Sequence, residues 1–351
     1  MILDSLLGLF SKDLGVDLGT TNTIVCARGE GIVLSEPSVV AVHQGTTRIA
    51  ERGAAVGERA AQMLGKAPPS IQAIRPLRNG VIADFEITEA MLAFFIRKAH
   101  GRARFIRPRM IIAAPSGITT VEKRAVINSA ERAGAREVRL IKEPMAAALG
   151  AGLPIGEPRG SMVVDIGGGT AEIAVLSLND IVASSSLRAA GDAMDQALAR
   201  HMKQVYNLEI GDQMAERIKL EIGSAYPLEE ELEKEVCGRD SLAGLPRTVT
   251  ICGTEVREAL RDPLDQILKA IVATLEKTPP DLCADLVRCG ITLVGGGSLL
   301  RGLDRLVARE TGLPVRRADD PATAVARGAC LVLDQLESYW PGLENGQDGG
   351  M

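Results

Sequence analysis

The residues of this 351-residue chain best placed to do chemistry are two aspartates, each ending an apolar run and each followed by glycine and threonine. The second lies in Ser161-Met-Val-Val-Asp165-Ile-Gly167-Gly168-Gly169-Thr170-Ala-Glu172-Ile-Ala-Val-Leu176. Its first run reads as a buried strand and the alternating run beyond it as a hairpin partner. Glycines let the backbone turn tightly and approach a ligand, leaving N–H groups free for phosphate oxygens. A carboxylate at the strand end suits Mg2+, held directly or through water. Alone, this stretch is equally a glycine-rich turn. The same plan recurs in Leu14-Gly-Val-Asp17-Leu-Gly19-Thr20-Thr21-Asn22-Thr23-Ile-Val-Cys-Ala27. Asp17 aligns with Asp165, Gly19 with Gly167, and Thr23–Ala27 with Ile173–Leu176. Two such loops, about 150 residues apart, suggest two similar lobes facing one nucleotide. A third run, Leu293-Val-Gly295-Gly296-Gly297-Ser298-Leu299-Leu-Arg-Gly302-Leu303, follows an apolar strand and is expected to open a helix.

The elements between these loops have to place them. Val138–Ile141 reads as a strand ending at Lys142-Glu143-Pro144, with a helix from Met145; proline suits a first helical turn. A glutamate there satisfies the helix dipole. With three phosphate loops in the chain, it reads better as the group that orients or deprotonates the water attacking a γ-phosphate. Helical spacing covers 54–64, 89–100, 121–133, part of 191–208, 210–222 (with Glu216 and Lys219 on adjacent turns), 281–289 and 322–336. A long helical region over 255–278 is interrupted at Pro263. Residues 248–252 read as a strand and the acidic run 229–235 as a solvated face.

Composition narrows the function classes. The chain is 46% hydrophobic, 24% charged and 3% aromatic, with a formal net charge of −5. It is long enough for two domains, and its charge does not favour a nucleic-acid role. Six scattered cysteines without a C-x-x-C spacing fit reduced thiols in a cytosol. Three histidines, His43, His100 and His201, with no H-E-x-x-H, disfavour a His triad or a zinc hydrolase. No apolar run reaches the ~18 residues of a spanning helix.

Two stretches have a membrane-surface reading. At ~100° per residue, Ile2, Leu3, Leu6, Leu7, Leu9 and Phe10 share one half of a helical wheel, opposite Asp4, Ser5, Gly8, Ser11 and Lys12. Such a helix lies on a lipid surface or packs on protein; without a basic cluster it depends on many copies for firm binding. Phe105 and Ile106 sit at a loop tip flanked by Arg102, Arg104, Arg107 and Arg109, which is either a second lipid-touching element or a solvated loop with its apolar pair tucked inward.

Longer strings carry a resemblance. Glu36-Pro-Ser-Val, Ala73-Ile-Arg-Pro-Leu-Arg, Glu143-Pro-Met-Ala-Ala-Ala, Met162-Val-Val-Asp-Ile-Gly-Gly-Gly-Thr, Ala215-Glu-Arg-Ile-Lys-Leu-Glu-Ile-Gly-Ser-Ala and Leu293-Val-Gly-Gly-Gly-Ser-Leu-Leu-Arg-Gly-Leu stand here. Over roughly residues 10–336 the chain resembles the MreB family of bacterial actin homologues, within the superfamily of actin, sugar kinases and heat-shock chaperones. The resemblance implies an α/β, actin-like (ribonuclease H-like) two-lobed fold. Each lobe would have a mixed sheet flanked by helices plus a small subdomain, with a nucleotide cleft between lobes. Its lobes would comprise 13–32 with 80–145 and small subdomain 33–79, then 146–186 with 245–336 and small subdomain 187–244, between a membrane segment at 1–12 and a disordered tail at 337–351.

The resemblance further implies ATP/ADP and Mg2+ as cofactors. Gly19, Thr20, Thr21 and Asn22 would hold phosphate on one side, and Gly167, Gly168, Gly169 and Thr170 on the other. Asp17 and Asp165 would position Mg2+ through its waters, and Glu143 would align the attacking water. Glu216, Arg217, Ile218 and Lys219 would meet the adenosine, as would Gly295, Gly296, Gly297, Ser298 and Leu299. The implied protein is a slow ATPase whose membrane-associated filaments guide peptidoglycan synthesis and maintain cell shape. Implied partners are further copies of itself, the inner face of the cytoplasmic membrane, RodZ, MreC, MreD and cell-wall synthases. The chain departs from the family at Thr21, where alanine is commoner, at Ala171, where threonine is common, and at Asp4, where many relatives are basic. A small-molecule kinase on the same scaffold, or a paralogue that co-polymerises, stays open at this point. A chaperone would need a peptide-binding domain beyond this chain's length.

Overall fold

The structure is a computed structural model that describes residues 12–100, 107–335 and 343. The amino-terminal amphipathic stretch through residue 11, Phe105 with Ile106, and nearly all of the tail lie outside the described residues. The chain forms two units, residues 1–154 with 323–351, and residues 155–322.

In the first unit the strands are β1 (Leu14–Leu18), β2 (Asn22–Ala27), β3 (Gly31–Pro37), β4 (Val40–His43), β5 (Ile71–Ile74), β6 (Leu77–Arg78), β7 (Val81–Ile82), β8 (Arg109–Ala114) and β9 (Glu137–Lys142). The main sheet has the order β3-β2-β1-β8-β9. Its hairpin strands pair antiparallel, while β1, β8 and β9 run parallel. Helices α1 (Phe85–His100) and α2 (Thr120–Ala133) cover one face. There Met91, Leu92 and Phe95 join Leu14, Val16, Met110 and Ile112 in a buried core. A capping box between Thr119 and Glu122 starts α2, satisfying N–H groups that a helix leaves open. Helix α3 (Glu143–Gly150) follows β9 without a gap.

The helix expected over 54–64 is instead two short turns, Ala50–Gly53 and Glu58–Ala61. Gly53 and Gly57 hold φ of +90° and +68°, values that a right-handed helix does not admit.

The second unit repeats the plan. Its strands are β10 (Ser161–Ile166), β11 (Ala171–Ser177), β12 (Asp180–Leu187), β13 (Leu208–Glu209), β14 (Glu233–Asp240), β15 (Pro246–Cys252), β16 (Ile291–Val294) and β17 (Val315–Arg317). Its helices are α4 (Gly191–Tyr206), α5 (Asp212–Ile222), α6 (Gly253–Ala259), α7 (Arg261–Glu276), α8 (Pro280–Cys289) and α9 (Leu303–Thr311). The main sheet runs β12-β11-β10-β16-β17, again an antiparallel hairpin pair continued by parallel strands. The expected long helix over 255–278 is α6 and α7, parted at Leu260. Pro263 sits in the first turn of α7, where its missing N–H has no helical partner to lose.

Strand β14 overlaps the acidic run, and a small sheet β13-β14-β15 forms there. Only Val236 of that strand is buried, so no apolar alternation announces it. Within the run, Glu231 pairs with Arg257 at 2.7 Å.

The last helix, α10 (Ala324–Asp334), returns to the first unit. The sequence expectation grouped 146–186 with 245–336; in the structure residues through 154 and from 323 belong with the first sheet. Two glycines account for this. A Cβ at Gly150 would strike the Ala324 carbonyl, and one at Gly328 the Ala146 carbonyl. The α3 and α10 backbones therefore approach closely without side chains between them.

Candidate functional site

In the first unit, Asp17 stands near the carboxyl end of β1, opposite Ile24 in the hairpin register. The loop beyond is braced from below. Ser38 Oγ donates to the Gly19 carbonyl at 2.6 Å and lies 2.9 Å from Thr23 Oγ. Ser38 N–H donates to the Thr21 carbonyl at 2.8 Å. Gly80 N–H donates to Thr20 Oγ at 3.0 Å, which leaves the Thr20 hydroxyl proton to donate elsewhere. A Cβ at Gly19 would lie 2.6 Å from the Asn22 carbonyl oxygen, so this turn requires glycine.

Desolvation pushes the Asp17 carboxyl up to about 7. Among the described residues it has no hydrogen-bond or ion-pair partner. An oxygen ligand held partly dehydrated without a counter-charge suits a hard divalent cation, directly or through its water. Asp17 therefore fits the Mg2+ role that the sequence implies.

Glu143 opens α3 at the end of β9 and is 9% exposed. Asp17 is level with Ala113 of β8, and Ala113 with Ile141 of β9. Two strand spacings, roughly 10 Å, separate those positions. Asp17 and Glu143 thus leave the sheet at the same edge, the carboxyl ends of its parallel strands. Open α/β sheets bind ligands at that edge.

In the second unit, Asp165 (7% exposed) faces Glu172 across the β10–β11 hairpin. Gly167 N–H closes the loop on the Thr170 carbonyl at 2.9 Å. The first N–H groups of α4 hold the loop from its other side: Gly191 donates to the Gly167 carbonyl at 3.1 Å and Asp192 to the Gly168 carbonyl at 2.7 Å. The third glycine run crosses the end of β10. A Cβ at Gly295 would strike Asp165 Oδ1, and one at Gly297 would lie 2.5 Å from Ile166 Cγ2. That run is a single 3-10 turn, Gly296–Leu299, and the helix it was expected to open begins only at Leu303. Ser298 Oγ donates to the Gly295 carbonyl at 2.7 Å.

Lys219 of α5 reaches this cluster, donating to the Gly191 carbonyl at 3.1 Å and to Asp195 at 2.8 Å. Burial pushes Asp195 up to about 6 against the opposing pull of Lys219, and the charge of Glu216 adds to the rise. The structure therefore gathers Asp165, Gly167–Thr170, Glu216, Lys219 and Gly295–Ser298 in one place. Ile218 is a correction: its side chain is fully buried among Ala215 and Ile222, on the core face of α5, so it offers a ligand no side-chain contact.

Sequence reasoning passed over three residues. Glu172, 1% exposed, accepts a hydrogen bond from Ser186 Oγ and shares a cross-strand row with Asp165. A carboxylate inside an apolar strand was the available signal. Asp195, the partner of Lys219, and Ser38, the brace under the first loop, carried no local signal of that kind. A surface groove of about 370 Å3 between α1 and α2, lined in part by Phe85, Glu89, Val121 and Arg132, shares no residue with these loops.

Comparison with known proteins follows the same lines. Residues 11–340 match the family model described as MreB/Mbl protein. The cell shape-determining protein MreB of Escherichia coli (strain K12) is 52% identical over 334 residues, covering 95% of this chain and 96% of that protein. The cell shape-determining protein Mbl of Bacillus subtilis (strain 168) is 47% identical over 329 residues, covering 94% and 98%. The crystal structure of MreB 5 of Spiroplasma citri bound to AMPPNP is similar with a TM-score of 0.88 and 34% identity, covering 95% of this chain and 98% of that one. The same protein bound to ADP also gives 0.88 and 34%, covering 94% and 98%. A MamK double helical filament, at 23% identity and a TM-score of 0.76 over 91% and 97%, shows the fold alone, which is the actin-like α/β fold.

Proposed function

Because the chain belongs to the MreB/Mbl family of actin-like cytoskeletal proteins, we propose that it binds ATP with Mg2+, hydrolyses it slowly and polymerises into membrane-associated filaments that set cell shape. The observation that carries the reading is the repeated hairpin plan, each copy with an aspartate beside a glycine loop. The two nucleotide-bound structures of the Spiroplasma relative support it.

On this reading Gly19–Asn22 and Gly167–Thr170 hold the phosphates through backbone N–H groups, with the Thr20 hydroxyl as a further donor. Asp17 and Asp165 would hold Mg2+, directly or through water. When bound, that ion neutralises charge on the phosphates. Glu143 orients the attacking water and accepts its proton. Glu216, Arg217, Lys219 and the backbone of the third glycine turn contact the nucleoside. Residues 1–11, with Phe105 and Ile106, supply lipid contact. Partners on this reading are further copies of the chain, RodZ, MreC, MreD and cell-wall synthases. Among the described residues no helix is long and apolar enough to cross a membrane, which leaves attachment to the surface as the mode proposed.

Electron microscopy of purified protein with Mg-ATP, with and without liposomes, tests this. Filaments lying on lipid, lost from the lipid when residues 1–11 are deleted, are expected. Monomers under all conditions, together with phosphate transfer from ATP to a sugar or glycerol, would replace the proposal with a small-molecule kinase.

A further inference from the structure

Cys26 of β2 lies directly across the hairpin from Gly15 of β1 and is fully buried. Gly15 makes room for it. A Cβ there would lie 2.6 Å from Cys26 Sγ, 3.1 Å from Ala329 Cβ and 3.2 Å from Leu333 Cδ1. The thiol therefore fills the space over Gly15, and α10 comes down on the same spot. Residues 326, 329, 330 and 333 have the spacing of one helix face. Cys26 Sγ donates to the Ala326 carbonyl at 3.6 Å. Cys330 is one turn further along that face and half-buried.

The two thiols interact. The neighbouring Cys26 draws the Cys330 thiol below its usual range, and the neighbouring Cys330 together with burial pushes Cys26 up. This is the polarity that a thiol pair needs for oxidation. The half-buried member is the better nucleophile, and the buried one waits as its resolving partner. The bare backbone at Gly15 lets the helix approach closely, as a disulfide between strand and helix requires.

We propose that Cys26 and Cys330 are a modification site, forming a reversible disulfide on exposure to hydrogen peroxide. The Cys330 thiolate attacks the O–O bond; a sulfur–oxygen bond forms and the leaving oxygen departs as water after taking a proton. The Cys26 sulfur then attacks the Cys330 sulfenic acid. The S–S bond forms, the S–O bond breaks, and the second oxygen leaves as water with the Cys26 proton. The peroxide is reduced by two electrons and the thiol pair is oxidised by two. The crosslink would tie α10 to β2. Because β2 leads out of the Thr20–Thr21 loop and α10 is locked backbone-to-backbone on α3, which begins at Glu143, one bond joins the supports of both groups.

The test is peptide mapping of the full chain after brief treatment with hydrogen peroxide and blocking of the remaining thiols with a maleimide. Cys237 and Cys289 are exposed and serve as internal controls for indiscriminate oxidation. The expected result is a Cys26–Cys330 linked peptide as the main oxidised product, a faster-migrating band on a non-reducing gel, and reversal of both by dithiothreitol. Cys330→Ser, checked for folding by circular dichroism, should abolish that product and band. Oxidation of Cys237 or Cys289 with the pair still reduced would overturn the proposal. So would sulfinic or sulfonic acid at Cys330 beside an intact Cys26 thiol. The wild-type map decides the matter even if the variant fails to fold.

Discussion

The residue opposite Asp17 in its hairpin is Ile24, whereas the residue opposite Asp165 is Glu172. The two hairpins keep the same register on either side of their loops, yet they are held in different ways. Side-chain hydroxyls brace the first: Ser38 under Gly19, and Thr20 under Gly80. Backbone N–H groups of a helix start hold the second, and a third glycine turn is laid across its strand. The first leaves a carboxylate strongly desolvated and, among the described residues, without a partner. The second is packed by several elements, the start of α4, Lys219 of α5 and the third glycine turn. On the proposed function each hairpin supplies a carboxylate for Mg2+ and a loop for phosphate, and only the second is also joined by the elements that would meet the nucleoside.

The largest expected effect of a single change is at Glu143. Glu143→Ala should keep ATP affinity and lower the hydrolysis rate by roughly 10²–10⁴, measured as phosphate release under single-turnover conditions. An unchanged rate would remove Glu143 from the mechanism. The next effect compares the two loops directly. Gly19→Ala meets the Asn22 carbonyl at 2.6 Å, whereas a Cβ at Gly167 lies 3.3 Å from the Thr170 carbonyl. Gly19→Ala should therefore weaken ATP binding by about tenfold or more and Gly167→Ala by a few-fold, taking a clash at about 1–3 kcal/mol. Equal losses in calorimetric titrations would mean that the two turns are equally constrained.

A pH series sharpens the contrast. Asp17 is raised from 3.8 to about 7 in the folded chain. Between those values the folded state holds a proton that the unfolded state has lost, so this group's contribution to stability is present at low pH and lost as pH rises toward 7. Cation binding needs the ionised carboxylate, so Mg-ATP affinity should fall as pH drops below about 7, and Asp17→Asn should flatten that dependence. The smallest effect is expected at Glu172. Glu172→Gln keeps an acceptor for Ser186 and replaces one buried carboxyl group beside Asp165; a few-fold shift in the Mg2+ dependence of hydrolysis is expected. No shift would reduce Glu172 to a structural role.

Much of this site was legible because its signals are local. An aspartate before glycine at the end of an apolar run marks a strand and a turn in one stroke, and it did so at Asp17 and Asp165. Pro144 marked the start of α3, and with it the position of Glu143. What escaped depended on partners distant in sequence. Strand β14 buries a single apolar residue, Val236, so its pairing with β15 left no pattern. Gly57 broke a helical spacing whose apolar residues alone looked continuous. Glu172 was hidden inside an apolar run, and its meaning came only from the register that sets it beside Asp165. The return of α10 to the first unit rests on Gly150 and Gly328, two glycines far apart in the chain whose value lies in each other's absent side chains.

On the proposed function the two repeated hairpins serve one nucleotide. Calorimetric titration of Mg-ATP into the wild-type chain, Asp17→Ala and Asp165→Ala tests it most directly. The account predicts one ATP per chain, with each substitution weakening that same binding event. Two independent sites, or full affinity in either variant, would contradict it.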